Sequence, residues 1–549
     1  MAKESQKKVP CSQRKRLTIP RRSPHCYFVK LVIVHYHLRP GGIRRIIELA
    51  TLHLVREAPR PITRVVLATG EPADRQWHDH FARQLPSVPV EVLIEPSFKY
   101  LSEQRGSPER ITARLRQALK KLFADSDTEN CLVWAHNLGV GRNLLLSREL
   151  TAACAERDLP LIAHHHDWWF DNRWVHWPEM RRCGFYTLAD AAQAVFPRQN
   201  HVLQAAINHA DAAILARHFG KSALWLPNLT ESAPLPSAAR VRSAQRWLRN
   251  KLAHDGAPVW LLPCRTLRRK NIAEALLLTR WLRPEAWLMV TGAASSADEL
   301  PYFNALERAA HQHHWRLRLG VLAGNESRKP SVPELLAASE AVLLTSIQEG
   351  FGLPYLEAAA AQRPLIARRL SNIAPDLHRF GFRFPQVYDE ILIAPELFDW
   401  PAERACQEKR FNEWRATMPP FARVRVSQPL VLATQRLGPV PFSRLTLTAQ
   451  LEVLARPLHE TWAACLPLNP FLETWHRRAA AEKLRVTPWP RSVKGWLGGE
   501  AYARRFFAAL TAKARSRPSA FSPVKVQSDF IARKLDARNL YPLLWSKNA

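Results

Sequence analysis

Short apolar runs alternate with helix-forming stretches along this chain in two separate series, and few folds accommodate such a pattern. The first series opens with CYFVKLVIVHYHL and continues through ITRVVLATG, VPVEVLIE, NCLVWAH, LPLIAHHH and DAAILA. The opening run leads into a glycine turn and GGIRRIIELATLHLVRE, where Ile43, Ile46, Ile47 and Ala50 recur at helical spacing. Strand–helix alternation of this kind predicts a parallel, doubly wound α/β sheet. A second series runs from APVWLLPCR through AWLMVTG, LRLGVLAG and AVLLTS to RPLIAR. Between them, the proline-rich LPNLTESAPLPSAARV reads as a linker. A chain of 549 residues exceeds what one hydrophobic core fills, so two α/β domains are expected, at 28–235 and 236–460. A basic arm (1–27) precedes them, and a helical extension rich in Trp and Arg (461–549) follows.

The stretch Ser346–Ala367, SIQEGFGLPYLEAAAAQRPLIA, carries the sharpest chemistry. Glu349 and Glu357 bracket a turn containing Gly350 and Gly352, between a short buried strand and a strong helix former. Pro354 suits the first helical turn, where a missing N–H costs nothing. Small glycines and the free amides of a helix start accept a close anion such as a phosphate. The carboxylates suit sugar hydroxyls instead. Together they point to a sugar nucleotide.

This E-x7-E pattern, with GFGLPYLEAAA inside it, resembles the donor-site motif of retaining GT-B glycosyltransferases, glycosyltransferase family 4 in particular. The resemblance covers roughly residues 30–460 and implies two facing Rossmann-like domains with the helical extension beyond them. It places Glu349 on the transferred sugar and Glu357 on the ribose, with Gly350, Phe351, Gly352 and Leu353 forming the donor loop. Arg265 and Lys270, in LLPCRTLRRKNIAEALLL, resemble the family's R-x4-K element, whose cations hold the donor diphosphate. Preorganised cations there stabilise the departing nucleoside diphosphate. Cys264 stands where the family has glycine. Arg268 and Arg269 are expected to face solvent, and Asn271 to cap the next helix.

Gly41 and Gly42, after the first strand, resemble the glycine loop that approaches the donor phosphates. Histidines close three strands of the first series: His35 and His37, His136, and His164, His165 and His166. The resemblance assigns His136 and His166 to the transferred sugar. Adjacent strand side chains point to opposite faces, so the three consecutive histidines do not converge on one ion, and no metal is expected. No other cofactor is expected beyond the nucleotide sugar as co-substrate. Asp167, Trp168, Asn137 and Arg173 are candidate acceptor contacts. The tryptophans Trp168, Trp169, Trp174 and Trp177 suit core packing more often than a sugar platform. Asp125-Ser126-Asp127 sits in a polar turn, and a solvated loop is expected there.

The chain carries a formal net charge of +31, which favours anionic partners and constrains the fold little. SPERITARLRQALKKLF, capped by Ser107, is a basic amphipathic helix with Ile111, Leu115, Ala118 and Leu122 on its apolar face. Packing on the sheet is the commoner use of such a face, and contact with an anionic membrane is the alternative. The eight cysteines form no C-x-x-C pair and read as reduced thiols of a cytoplasmic protein. No run approaches the length of a membrane span.

The function implied is retaining sugar transfer from a nucleotide-diphosphate sugar to an acceptor hydroxyl on a glycan, a small molecule or a lipid-linked carrier. Two alternatives are a sugar-nucleotide epimerase on the same fold and a non-catalytic polyanion-binding protein. The second has no recognised nucleic-acid module behind it, and the basic residues are spread along the chain.

Overall fold

The computed structural model describes residues 29–171, 174–230, 235–252, 255–294, 296–324, 329–434, 437–514 and 521–545. The basic arm lies outside the described residues, and so does Arg173. The first sheet comprises β1 (Val29–Val34), β2 (Ile62–Thr69), β3 (Val90–Ile94), β4 (Cys131–His136), β5 (Leu161–His165), β6 (Val202–Ala206) and β7 (Ala223–Trp225), in the order β3-β2-β1-β4-β5-β6-β7. The second comprises β8 (Val259–Arg265), β9 (Trp287–Gly292), β10 (Leu317–Arg318), β11 (Ala341–Leu344), β12 (Leu365–Arg368) and β13 (Gln386–Tyr388), in the order β10-β9-β8-β11-β12-β13. Every pairing in both sheets is parallel. A short antiparallel pair, β14 (Leu392–Ile393) with β15 (Val440–Pro441), lies outside them. These are two Rossmann-like domains in the GT-B arrangement.

The alternation is therefore read correctly as a pattern, with local corrections. DAAILA belongs to the helix His209–Phe219 and not to a strand, because Asn208 caps it by accepting the Asp211 N–H at 2.8 Å. The sixth strand is instead Val202–Ala206, whose central Gln204 interrupts the apolar run and hid it. LRLGVLAG contributes only two strand residues, since Gly320 at φ +63 turns the chain away. Ser107 caps the basic helix Pro108–Leu122 as expected, and Ile111, Leu115, Ala118 and Leu122 are buried in the first core. The apolar face is spent on packing. Among the described residues no helix is long and apolar enough to cross a membrane.

The main departure concerns the last third of the chain. The first core also contains Phe411, Trp414, Met418 and Ala422, together with Val526, Phe530, Ile531 and Trp545. The helix Gly499–Ala514 packs on the helix Gly42–Glu57 of the first domain, and Pro523–Lys534 packs on Leu188–Val195 and His209–Phe219. The helices Leu447–Ala455, Leu458–Cys465 and Phe471–Ala480 instead cover Ile272–Leu282 of the second domain. The extension is thus shared between both domains.

The two domains touch where Asp376 Oδ2 accepts the His209 N–H at 2.8 Å. Burial pushes the Asp376 carboxyl up to about 6, against the lowering by that hydrogen bond and by Arg379. A raised carboxyl stabilises the folded state fully below its ordinary 3.8 and loses that stabilisation as pH rises through 6. Asp376→Asn is expected to raise the melting temperature at pH 8 and to leave it unchanged at pH 4, measured by differential scanning fluorimetry. An increment independent of pH would count against this account.

Candidate active site

In open parallel sheets, ligands bind beyond the carboxyl ends of strands where the strand order reverses. Here those points are β1/β4 and β8/β11, and both face one cleft of about 1460 Å³. The cleft is lined by Gly41, Gly42, Asn137, His166 and Asp167 from the first domain. From the second come Arg265, Lys270, Glu349, Gly350, Phe351, Gly352, Leu353 and Glu357. Sequence motifs some 300 positions apart are thus brought together.

Glu349 follows β11, and its carboxylate is almost fully enclosed. Lys270 donates to Oε1, Ser346 Oγ donates to Oε1 at 2.7 Å, and Arg269 Nη1 donates to Oε2 at 2.7 Å. Burial raises this carboxyl, but Arg269 and Lys270 outweigh it and hold the value at about 2. Arg269, expected in solvent, is therefore a correction: its guanidinium also reaches the Gln348 carbonyl at 2.9 Å. Residues Arg268–Lys270 form a 3₁₀ turn, whose residues are a third of a turn apart. Arg268 turns the other way, onto Glu299 at 3.2 Å. Asn271 occupies the N-cap position of its helix, but its side chain makes no capping hydrogen bond. It sits in the left-handed region at φ +48 and donates instead to Glu274 at 2.8 Å.

Arg265, Arg269 and Lys270 against Glu349 leave two net positive charges in the cleft wall, which matches a diphosphate ester. Beside them, the helix Leu353–Ala360 starts from Gly352 at φ +81 with no side-chain cap, so its positive end faces the cleft, although Pro354 carries no N–H and the Tyr355 N–H bonds the Gly352 carbonyl at 3.1 Å. A Cβ on Gly352 would come within 2.9 Å of the Tyr355 ring. Gly350 lies against the other domain, where a Cβ would stand 2.8 Å from the His166 carbonyl oxygen. Glu357 is half-buried one turn into the helix, and burial raises its carboxyl. At Gly42 a Cβ would meet no protein atom within 4 Å, so the open space there belongs to the cleft.

The histidines divide by face. His136 and His164 are paired in register on β4 and β5, and His166 lies on the same face two residues on. His165 points the other way, onto Gln204 at 2.7 Å. His166 lines the cleft, while His136 lies behind it and reaches it through a 3.0 Å hydrogen bond between ring nitrogens. Burial holds His166 down to about 3, so it is a neutral hydrogen-bonding group near pH 7. One ring nitrogen from each of His136, His164 and His166 lies within 4.8 Å of the others. That set, drawn from β4, β5 and the residue just after β5, is the one among the described residues with metal-ligand composition.

Of the candidate acceptor residues, Asn137 accepts the N–H groups of His166 (2.7 Å) and Asp167 (3.2 Å), which fixes the loop after β5. Trp168 is a correction. It is buried, stacks on His165 and donates its indole N–H to Asp211 at 2.9 Å, as part of a core with Trp169, Trp174 and Trp177. Asp125 pairs with Lys30 at 2.8 Å and Asp127 accepts amides of its own turn, so this D-x-D is a solvated loop.

Residues 245–382 match the family of Glycosyl transferases group 1. Over 351 residues the chain is 24% identical to the mannosylglucosyl-3-phosphoglycerate synthase of Petrotoga mobilis, covering 62% of this chain and 65% of that protein. The match thus spans less than two thirds of that relative's length. Among solved structures, a glycosyltransferase from Rickettsia africae superposes with a TM-score of 0.48 at 10% identity, over 89% of this chain and 99% of its own. The Anabaena protein HepE in complex with UDP-glucose superposes at 0.45 and 15% identity, over 82% and 98%.

Proposed function

We propose, from the premise that residues 245–382 are a group 1 glycosyl transferase domain, that this protein moves a sugar from a nucleotide-diphosphate sugar to an acceptor hydroxyl with retention of configuration. The observation that carries the reading is the enclosed Glu349 between Arg269 and Lys270, facing a cleft wall with two net positive charges. The cations and the positive end of the helix Leu353–Ala360 receive the diphosphate, and Glu357 accepts from the ribose hydroxyls. As the glycosidic bond lengthens, negative charge grows on the leaving oxygen beside Arg265 and Lys270. Positive charge grows on the sugar ring beside Glu349. His166, neutral and backed by His136, hydrogen-bonds an outer sugar hydroxyl. The leaving diphosphate takes the acceptor proton on the same face.

In this state Lys270 is committed to Glu349. On donor binding its ammonium, with three donors, bridges the carboxylate and the diphosphate. Protein cations already balance the diphosphate, so transfer proceeds without a metal. The acceptor is a hydroxyl of a glycan, a small molecule or a lipid-linked carrier, and the protein acts in the cytoplasm.

Incubation with labelled UDP-, GDP- and ADP-sugars tests the reading, with and without EDTA. Nucleotide release that requires an acceptor and survives EDTA is expected. Isomerised donor without transfer would support an epimerase, and the absence of any donor binding would sink both. Loss of activity in EDTA, restored by a divalent cation, would assign a metal to the histidine set.

A further inference from the structure

The first-domain wall of the cleft carries a guanidinium that the donor reading leaves unused. Arg142 follows Gly141 on the loop after β4. Gly141 is at φ +74, and a Cβ there would lie 2.3 Å from Trp169 and 2.4 Å from Met180, so the tryptophan core clamps this loop. The Arg142 guanidinium stacks 4.6 Å from the centroid of the Tyr100 ring. It donates to His176 Nε2 at 2.6 Å and to Ser102 Oγ at 3.2 Å. The nearest carboxylate in this chain of contacts is Glu179, 3.8 Å beyond His176. Burial raises the Glu179 carboxyl, against the pull of Arg142 and Arg182. Arg142 is thus a fixed planar cation whose hydrogen bonds, among the described residues, go to an imidazole and a hydroxyl and not to a carboxylate. Arg39 on the same wall is spent on Glu71 and Glu103.

A face of the helix Trp400–Ala416, which packs on the first domain's core through Phe411 and Trp414, lines the same cleft. Cys406, Lys409, Arg410, Glu413 and Trp414 line the cleft at helical spacing. Two cations and one carboxylate therefore share the cleft lining with Arg142. The diphosphate is already answered by Arg265, Arg269 and Lys270 at the β8/β11 end.

Resting on the transfer reading above, we propose that the acceptor bears an anionic group, a phosphate monoester or a carboxylate. Arg142 grips that group through a planar fork, and Lys409 and Arg410 add positive potential. The acceptor hydroxyl then lies between this anion and the sugar held at Glu349. The group recognised by Arg142 sets acceptor specificity and takes no part in bond breaking.

The test uses the full chain with its nucleotide site filled by whichever nucleoside diphosphate the donor screen identifies, titrated calorimetrically with inorganic phosphate and with glucuronate. Binding of one or both is expected, weakened roughly 10- to 100-fold by Arg142→Gln and partly restored by Arg142→Lys. Lys409→Glu, on an exposed side chain, weakens binding independently of the Arg142 packing. In turnover, glucose 6-phosphate or glucuronic acid should exceed glucose as acceptor, and Arg142→Gln should erase that preference. Phosphate strength separates from carboxylate strength by which of the two probes wins. Equal binding to wild type and Arg142→Gln, or a preference for the neutral acceptor, would overturn the proposal. If no nucleotide binds at all, the transfer reading fails, while phosphate titration of the empty protein against Arg142→Gln still reads the anion site.

Discussion

Glu349→Ala lowers the rate of sugar transfer by roughly 10³-fold, and Lys270→Ala does so to a similar degree, the scale seen when one preorganised electrostatic group is removed. The reason is geometric. Glu349 is held by Ser346, Arg269 and Lys270 before any ligand arrives, so no reorganisation is required when charge develops on the sugar. Alanine also leaves the enclosed Lys270 and the part-exposed Arg269 without their carboxylate, which costs stability of about 3 kcal/mol. Glu349→Gln separates the two effects. It keeps the volume and an acceptor for Ser346 and Lys270, so it should melt nearer to wild type while losing comparable activity. The Glu349 carboxyl is held at about 2 against an ordinary 4.5. Its stabilising contribution is complete above 4.5 and disappears as pH falls toward 2, so wild type and Glu349→Gln converge in melting temperature at the acid end. Single-turnover kinetics with labelled donor checks the first claim. Activity within tenfold of wild type in either alanine variant would refute the roles assigned here.

Arg368→Met produces the largest expected loss of stability, about 3–5 kcal/mol, because it strands the buried carboxylate of Glu274. Arg368 ends β12 and is 1% exposed. It pairs with Glu274 on the helix Ile272–Leu282 and with Glu390, and it donates to the Asp389 carbonyl at 2.8 Å. Tyr388 donates to Glu274 from the adjacent strand at 2.5 Å. From Glu390 the network continues to Arg444, which stacks 3.8 Å from the Tyr541 ring centroid and donates to the Leu540 carbonyl at 2.6 Å. One charge thus ties the second domain's sheet to the end of the described chain. The double variant Arg368→Met/Glu274→Leu should recover much of the loss, since an apolar pair of similar volume avoids desolvation of both ions. Denaturant titration of the set measures the coupling. A loss below about 1 kcal/mol for Arg368→Met would show that water reaches this network.

The parts of this protein that were legible in the sequence are those set by local rules. The alternation marked the first five strands of one sheet and the central strands of the other, because period and length distinguish buried strands from helices. Glu349, Glu357, Gly350, Gly352, Arg265 and Lys270 stood out because their chemistry is confined to two short loops, and the structure opens both loops onto one cleft. What escaped depends on partners far away in the chain. Nothing about Trp168 in isolation says that it stacks on His165 under a loop, or that His136 sits behind His166. Arg269 looked like one more solvated arginine in a basic turn, and only the 3₁₀ geometry next to β11 turns it onto Glu349. The helix Trp400–Ala416 has apolar positions at Phe411 and Trp414, but periodicity names a face and never the surface that covers it.

The return of the chain to its first domain has a consequence for synthesis. Val526, Phe530 and Trp545 complete a core begun by β1 and β4. A nascent polypeptide that has emerged as far as β7 therefore exposes an apolar surface around Trp168 and Phe196 which its own later segment must cover. At typical elongation rates of about 5–20 residues per second, the gap before residue 530 is translated lasts tens of seconds. During that interval the first domain carries this apolar surface uncovered, and a ribosome stalled in the second domain leaves it unfinished.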